Sequence, residues 1–152
     1  MSLDVTDRRI LAALQQRGRM SNAELSEKVN LSPSACHRRV QRLESDGYIN
    51  GYVALLNARK LQVPTTVFVE ITLQGQADEV LDAFEKAVAR IPDVLECHLM
   101  AGTADYLLKV VAEDTEDFAR IHRQHLARLP GVAQMQSSFA LRTVFKTTAL
   151  PV

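Results

Sequence analysis

The sequence lacks three features that would assign it to a class directly: a set of cysteines, a long apolar run and a net charge. Its two cysteines, Cys36 and Cys97, are far apart and each lies within an apolar pattern. This argues against a disulfide framework and predicts reduced core residues. The first residues contain no continuous apolar segment typical of a secretion signal, and no run is long enough to cross a bilayer. We therefore expect a cytoplasmic protein without a membrane partner.

The sequence also lacks the short motifs that identify several enzyme and metal-binding classes. It contains no nucleotide-binding loop of the GxxxxGK[ST] type, no GxSxG nucleophile motif and no paired-cysteine metal cluster. We therefore expect no enzymatic activity, no cofactor and no metal site. Its 152 residues and 47% apolar content suffice for one medium domain or two small ones, with a packed core.

The zero net charge conceals an asymmetry between two parts of the chain. Residues 1–62 contain ten Lys and Arg against six Asp and Glu, a net charge of +4, so the remainder has −4. Opposite signs suggest a basic nucleic-acid-binding module followed by an acidic module with another role. An uneven scatter of surface charge is the alternative that this feature alone leaves open.

Three helical patterns occupy the first part of the chain. Apolar residues recur at helical spacing from Asp7 to Gln16. A second, short helix is expected to begin at the capping-box pattern Ser21-Asn22-Ala23-Glu24 and to end at Asn30. A third begins at Ser32-Pro33, where Ser32 caps and Pro33 takes the first helical position, and it ends at Gly47. Two helices joined by a tight turn behind a supporting helix predict a helix-turn-helix at about residues 22–41.

A turn signal and a connector follow the third helix. Asn50-Gly51 lies between two β-prone pairs, which predicts a two-residue hairpin resembling the wing of winged-helix proteins. Residues 57–63 are mostly polar or basic and are closed by Pro64, as in a connector. We therefore predict one domain over residues 1–62 and a second over residues 63–152.

The second domain changes from helical to mixed periodicity. Strands are predicted at residues 65–73, 94–100, 105–111 and 132–145, and helices at 77–91 and 115–129. The order β-α-β-β-α-β is that of a ferredoxin-like α+β domain, an antiparallel sheet with two helices on one face. Because Leu99 and Leu107 cannot both be hidden under those helices, we expect the other face to pack against a second copy.

The third helix presents a face suited to a DNA major groove. With Cys36, Val40 and Leu43 turned inward, the opposite face is polar and basic. Arg can bond guanine and Gln can bond adenine, while helix starts favour phosphate. A solvated helix face, or plain capping, is the alternative interpretation. The candidate DNA-binding residues are Ser21, Asn22, Ser32, Ser34, His37, Arg38, Arg39, Gln41 and Arg42.

These residues carry a family resemblance. The run LSPSACHRRVQRLESDGYINGYVALLN, preceded by DRRILAALQQRGRMSNAELSEKV and followed by VFVEITL, ECHLMAGTADYLLKV and LARLPGV, resembles the Lrp/AsnC (feast/famine) regulators over nearly the whole chain. The resemblance implies a winged helix-turn-helix joined to a ferredoxin-like sensing domain. It also implies a homodimer that assembles to an octamer, double-stranded DNA as partner, and an amino acid or related metabolite as effector.

The resemblance further implies where the effector binds. Gly102 would let a ligand approach the backbone and Asp105 could receive an α-amino group, although Gly102 could equally serve an ordinary turn between strands. The implied effector-binding residues are Met100, Ala101, Gly102, Thr103, Ala104 and Asp105, with Ala127, Ser138 and Ala140 as further candidates. Met100, Ala127 and Ala140 would suit an apolar side chain.

Two rival functions share parts of this plan. Sirohaem decarboxylases resemble the same two-domain arrangement and use histidines, so His98, His122 and His125 are candidate ligands of a haem or metal. No carboxylate or cysteine joins them at ligand spacing, which favours packing roles instead. A metabolite-binding protein that does not bind DNA is the second rival, and it would leave residues 1–62 without a purpose. The sequence does not distinguish an activator from a repressor.

Overall fold

Helix α1 (Val5–Gln16) is the first element of the computed structural model, which describes residues 2–152. It begins two residues earlier than predicted because Asp4 caps it. The Asp4 carboxylate accepts a hydrogen bond from the Asp7 amide at 2.7 Å, and the Asp7 carboxylate accepts from the Asp4 amide at 3.2 Å. This reciprocal capping box has aspartate at both positions. The usual capping-box pattern has Ser or Thr at the first position and Glu or Gln at the second, so it does not predict this cap.

Helices α2 (Asn22–Lys28) and α3 (Pro33–Ser45) confirm the predicted helix-turn-helix. The turn between them contains Asn30 with φ 58°, the left-handed conformation expected at that helix end. The Ser32 hydroxyl accepts from the Ala35 amide at 3.2 Å, as expected of the α3 cap. Only half of the predicted α2 capping box forms, because the Glu24 carboxylate is 2.9 Å from Arg17 instead of returning to the Ser21 amide.

The three helices enclose one apolar core. Ile10 of α1, Leu25 of α2, and Cys36 and Leu43 of α3 are all buried in the same cluster. The predicted inward stripe of α3 is therefore correct at Cys36 and Leu43, while Val40 is partly buried at its edge. Because these side chains fix one face of α3 against α1 and α2, they also determine which face of α3 remains outside.

The predicted Asn50-Gly51 hairpin is wrong. Among the described residues there is no strand between α3 and Thr65. The amides of Tyr48 and Ile49 both donate to the Leu43 carbonyl and so complete the end of α3. Tyr52 donates its hydroxyl hydrogen to Glu44 at 2.9 Å. The segment after the turn is therefore held by α3 and forms no cross-strand ladder. Burial of the Tyr52 ring, followed by the Glu44 carboxylate, raises the pKa of Tyr52 to about 12.

The second part of the chain has the predicted β-α-β-β-α-β order and confirms the α+β fold class. Its four strands form one antiparallel sheet in the order β2-β3-β1-β4. The elements are β1 (Thr65–Leu73), α4 (Asp78–Val88), β2 (Val94–Leu99), β3 (Tyr106–Ala112), α5 (Thr115–Gln124), a 3-10 turn (Leu126–Arg128) and β4 (Val132–Phe139).

One face of this sheet and the two helices form the second core. Alternate residues of β1 and β3 are buried there, and Val69 of β1 pairs in register with Leu108 of β3. Phe84 of α4 packs on Tyr106 with ring centroids 4.5 Å apart. The period of two along both strands therefore fixes the register, because a shift by one residue would bring the polar set inside.

The other sheet face is mixed in character, and Leu99 and Leu107 are not both under the helices, as expected. Leu99 pairs with the buried Tyr106 and lies on the helix side of the edge strand β2, whereas Leu107 lies on the open face. The open face combines apolar and polar side chains: Thr66, Phe68, Glu70, Thr72, Leu107, Lys109, Val111, Gln134, Gln136 and Ser138.

Strand β4 ends at Phe139, six residues before the predicted end at Phe145, because it runs past the beginning of its antiparallel partner β1. The Ala140 amide still donates to the Thr66 carbonyl at 3.0 Å, but Pro64 precedes β1 and has no amide hydrogen to continue the ladder. The predicted helix 115–129 also differs from the observed structure, because it divides into α5 and the short 3-10 turn.

The chain divides into two compact units, while the predicted domain bounds 1–62 and 63–152 stay a prediction. The first unit comprises the residues up to Leu55 together with Phe145–Val152, and the second comprises Leu56–Val144. Within the first unit the Gln15 side chain holds the C-terminal segment. Its Nε2 donates to the Leu150 carbonyl at 2.9 Å and its Oε1 accepts from the Leu150 amide at 2.5 Å. Within the described residues, no helix is long and apolar enough to cross a membrane.

Replacing Gln15 by Leu should release the C-terminal segment without unfolding the first unit. Both hydrogen bonds to Leu150 are lost, while an exposed hydrogen bond contributes only about 0.5–1.5 kcal/mol to stability. We expect faster amide hydrogen exchange at Leu150 and an almost unchanged melting temperature. Gln16→Leu, at the exposed neighbouring position, is the control. Equal exchange rates in the two variants would contradict the assignment.

Candidate nucleic-acid interface and sensor loop

The outer face of α3 carries the polar side chains that the helical spacing places there. Ser34, His37, Arg38 and Gln41 are exposed, whereas Cys36 and Leu43 on the opposite side have no exposed surface. The face contains one cationic side chain that can donate two parallel hydrogen bonds and one carboxamide that can both donate and accept. This combination has the donors and acceptors that base edges require in a major groove.

Ser21, Asn22 and Ser32 have clear structural partners at the starts of α2 and α3. The Ser21 hydroxyl caps α2 by accepting from the Glu24 amide at 3.1 Å. Asn22 Nδ2 donates to the Pro33 carbonyl at 2.8 Å and so ties the two helix starts together. Capping accounts for Ser21 and Ser32, and this tie accounts for Asn22. Their contact with phosphate stays a prediction.

Arg39 and Arg42 are engaged inside the first unit. Arg39 Nη1 lies 2.7 Å from Asp4 and 3.0 Å from Asp7, and Arg42 Nη2 lies 2.7 Å from the same Asp7 oxygen. The sequence analysis missed Asp4 and Asp7 as partners of these arginines. The pattern offered no signal for a contact between residues more than thirty positions apart.

The contacts of this cluster lower the pKa of Asp4, its most exposed member. The hydrogen bond from Arg39, followed by that from the Asp7 amide, lowers the pKa of Asp4 from 3.8 to about 2. The same carboxylates raise the pKa of Arg39 above its usual value. Both groups therefore remain ionised throughout the neutral range, and the α1 cap and the α3 arginine are held by opposite full charges.

The predicted effector loop, residues 100–105, connects β2 to β3, and Asp105 organises it. The Asp105 carboxylate accepts from the Leu73 amide at 2.7 Å and from Gln76 Nε2 at 2.9 Å. The Met100 amide donates to the Asp105 carbonyl, and the Asp105 amide donates to the Ile71 carbonyl. Asp105 thus fastens the loop to the end of β1, a structural role that the resemblance did not imply.

Gly102 lies at an open point of this loop. A Cβ atom built on it would meet no heavy atom within 4 Å, and its φ is not in the left-handed range. Neither a close packing contact nor a strained turn therefore requires glycine here. The exposed backbone around Gly102 is accessible, as the predicted approach of a ligand demands.

A polar cavity of about 240 Å³ lies beside the loop on the open sheet face. Thr103 and Ala104 line it, whereas the other predicted effector residues do not: Met100, Ala101, Gly102, Asp105, Ala127, Ser138 and Ala140. The sequence analysis missed its other lining residues, although outward-facing positions of β1 and β4 could have indicated them. They are Glu70, Thr72, Gln134 and Gln136. Ala127 lies on the exposed side of the 3-10 turn, Ser138 on β4 opposite Phe68, and Ala140 directly after β4.

A second, larger cavity of about 380 Å³ lies between α4 and the edge strand β2. Tyr106 donates its hydroxyl hydrogen to Glu85 at 2.8 Å at this cavity. Cys97 lines it and is exposed, which corrects the prediction of a core residue. The reason is that β2 is the edge of the sheet and α4 leaves this groove over it. Partial desolvation of the thiol by the groove, followed by the charge of Glu85, raises the pKa of Cys97, so the thiol stays protonated at neutral pH.

The three candidate haem or metal histidines lie on two different elements. His98 is on β2, 3.3 Å from Glu96, while His122 lies in the last turn of α5 and packs edge-on against Phe118. His125 follows α5 as its C-cap residue. The described residues contain no group of three or more His, Cys, Asp or Glu side chains placed to hold a metal ion.

Removing the Asp4 carboxylate should destabilise the first unit in a pH-dependent way. Because the pKa of Asp4 is lowered on folding, its contribution is present above about pH 4 and is lost as the pH falls towards 2. We expect the urea midpoint of Asp4→Ala to be lower than that of wild type at pH 7, and the difference to shrink between pH 4 and 2. Glu27→Ala, an exposed acid on α2, is the control. A constant difference across this range would contradict the ion pair.

Replacing Asp105 by Ala should loosen the loop by removing the acceptor of the Leu73 amide. We expect faster hydrogen exchange at Leu73 and a free energy of unfolding lowered by about 1–3 kcal/mol, the cost of leaving a buried donor unpaired. Asp93→Ala removes a partly buried acid elsewhere in the same unit and serves as the control. Unchanged exchange at Leu73 would rule out the clamp.

Comparison with known proteins identifies both parts of the chain. A winged helix-turn-helix DNA-binding family matches residues 3–50, and the Lrp/AsnC ligand binding domain matches residues 66–150. The leucine-responsive regulatory protein of Escherichia coli K12 is 43% identical over 150 residues, covering 99% of this chain and 92% of the relative.

Solved structures agree in fold over the same length. A transcriptional regulator of Neisseria meningitidis in complex with L-Met has 38% identity and a TM-score of 0.94, covering 99% of this chain and 97% of that one. An AsnC family transcriptional regulator of Agrobacterium tumefaciens has 37% identity and a TM-score of 0.94, covering 98% and 97%. These matches extend over nearly every residue, and the chain accordingly belongs to the Lrp/AsnC family of transcriptional regulators.

Proposed function

We propose that this regulator reads a specific double-stranded DNA site through the outer face of α3, and that an amino acid or related metabolite at the β2–β3 loop changes its DNA binding or assembly. The observation that carries the DNA-binding part is the exposed group Ser34, His37, Arg38 and Gln41 on a helix whose opposite side has Cys36 and Leu43 buried. A helix so fixed can present the same donors and acceptors to every site it meets.

Arg38 and Gln41 are the residues that discriminate bases in this proposal. Arg38 can donate two hydrogen bonds to guanine O6 and N7, and Gln41 can pair with adenine N6 and N7. Ser34 and His37, towards the start of the helix, complete the contact, while Ser21, Asn22 and Ser32 bring capped helix starts towards phosphate. The net charge of +4 on residues 1–62 supplies the non-specific attraction.

Assembly is the second element of the proposal. We propose a homodimer whose two recognition helices bind half-sites one or more helical turns apart, and further association to an octamer. Phe68, Leu107 and Val111 provide apolar surface on the open sheet face for a self-complementary contact. The site of action is the cytoplasm, where the DNA lies.

The effector is proposed to bind at the loop and its adjoining cavity. A relative 38% identical to this chain forms a complex with L-Met, which supports an amino acid as ligand. Asp105 is already bonded to Leu73 and Gln76, so we propose that it shapes the site and that Glu70 offers a second carboxylate to the α-ammonium group. Met100, Ala101 and Gly102 would approach the ligand from the loop, and Ala127, Ser138 and Ala140 remain candidates from a neighbouring copy.

Arg38→Ala should weaken binding to the specific DNA site without changing the size of the oligomer. Loss of a bidentate contact to guanine costs about 1–3 kcal/mol, roughly a fivefold to 150-fold increase in Kd. The measurement is fluorescence anisotropy with a duplex that the wild-type protein selects from a random pool, combined with light scattering. Arg90→Ala removes an exposed arginine from the second unit and should bind normally. Wild-type affinity of Arg38→Ala would refute the assignment of α3.

A thermal-shift screen against the twenty amino acids tests the sensor. A ligand that binds the native state at 100 times its Kd adds about 2.7 kcal/mol to stability, so at least one amino acid should raise the melting temperature. Glu70→Gln should abolish this rise, whereas Glu79→Gln on the exposed start of α4 should retain it. A screen with no rise for any amino acid would remove the effector proposal while leaving the DNA proposal intact.

A further inference from the structure

Four charged side chains join the start of α1 to two successive turns of α3. Asp4 Oδ1 and Asp7 Oδ2 are occupied by the reciprocal cap of α1. Asp4 Oδ2 and Asp7 Oδ1 accept from Arg39 Nη1, and Asp7 Oδ1 also accepts from Arg42 Nη2. Every carboxylate oxygen therefore has a partner, and the cap that starts α1 is also the anion that orients α3.

The four side chains differ sharply in exposure. The Asp7 side chain is only 2% exposed, whereas that of Arg42 is 42% exposed. A buried carboxylate that holds two guanidinium groups has a fixed position, because leaving either charge unpaired would be costly. Arg42 is therefore anchored through Nη2, while much of its side chain remains exposed.

Arg39 and Arg42 use their donors differently. Arg39 Nη1 is shared between two carboxylates, and its side chain is more buried, at 29% exposure. Arg42 makes its ion pair through Nη2 alone, and a guanidinium group has five N–H donors in a fixed fork. Arg42 also lies one helical turn after Arg38, at the border of the exposed face of α3.

We infer that Asp7 is a positioning residue for DNA binding: it holds the Arg42 guanidinium at the border of the α3 face, so that the outward N–H donors meet a DNA phosphate. Arg39 has a different role, which is to fix the rotation of α3 against α1. The ligand of Arg42 is a backbone phosphate, since a planar guanidinium held from one side can still make a two-point contact on the other.

Preorganisation gives a physical reason for this arrangement. A free arginine must lose side-chain freedom when it meets a phosphate, whereas Arg42 has already lost it to Asp7. Phosphate contacts also set the register in which base-reading side chains approach the groove. The anchored Arg42 would thus help Arg38 and Gln41 to meet the correct bases. This inference rests on the proposed contact of α3 with DNA.

The experiment is a double-mutant cycle on DNA affinity with Asp7→Asn, Arg42→Ala and the combined variant. The probe is the duplex that the wild-type protein selects from a random pool, at several salt concentrations. We expect Arg42→Ala to raise Kd about tenfold and to reduce the slope of log K against log salt by about 0.9, the value for one phosphate contact. Arg90→Ala, which removes an exposed arginine from the second unit, is the control and should leave that slope unchanged.

The DNA affinity of Asp7→Asn distinguishes a positioning role of Asp7 from a simple effect of its charge. Removing a negative charge near DNA would by itself strengthen binding, so a several-fold weakening requires loss of the Arg42 orientation. Asp4 still holds Arg39 in Asp7→Asn, so the effect of Asp7 on DNA binding passes through Arg42. The combined variant should therefore bind no more weakly than Arg42→Ala alone. Tighter binding by Asp7→Asn, multiplying effects in the combined variant, or an unchanged salt slope in Arg42→Ala would each overturn the inference.

A further variant keeps the test decisive if Asp7→Asn does not fold. Arg42→Lys leaves Asp7 in place and retains the charge, but an ammonium group lacks the planar fork that reaches Asp7 and a phosphate together. We expect a normal salt slope with Kd still raised several-fold; wild-type affinity would overturn the inference. If Arg38→Ala weakens binding but the Asp7 and Arg42 variants bind normally, only this inference fails, and DNA contact through α3 stands.

Discussion

The buried carboxylate of Asp7 is the constraint on which the first unit depends. A full negative charge with almost no solvent contact is stable only beside positive charge, and Arg39 and Arg42 of α3 provide it. The apolar core of Ile10, Leu25, Cys36 and Leu43 holds the three helices together, but the hydrophobic effect does not depend on the orientation of the groups in contact. The ion pairs add direction, because each joins a particular side chain of α3 to the start of α1.

The elements that the sequence predicted well are those whose signals are local. Ser32-Pro33 marked the start of α3, Asn30 marked the turn, and the alternation of β1 gave the buried face of the sheet. The failures depend on distant partners. Tyr52 bonds Glu44 on the preceding helix and takes part in no hairpin, and β4 ends at Phe139 because the neighbouring β1 begins after a proline.

The candidate site shows the same division between local and distant information. The outer face of α3 follows from helical spacing, so its exposed residues could be predicted from sequence. No local pattern announced that Asp4 and Asp7 would hold two arginines of that helix, or that Asp105 would bond the end of β1. The expectation of an apolar ligand came from Met100, Ala127 and Ala140, whereas the cavity beside the loop is lined by carboxylate, hydroxyl and carboxamide groups.

The C-terminal segment held by Gln15 belongs to the same unit as the N-terminal helices. The backbone leaves the first unit after Leu55 and returns to it at Phe145, directly after the segment that follows β4. The second unit is therefore an insertion between two parts of the first, tethered at both of its ends. A fluorescent protein or affinity tag fused after Val152 would therefore be attached to the helix-turn-helix unit.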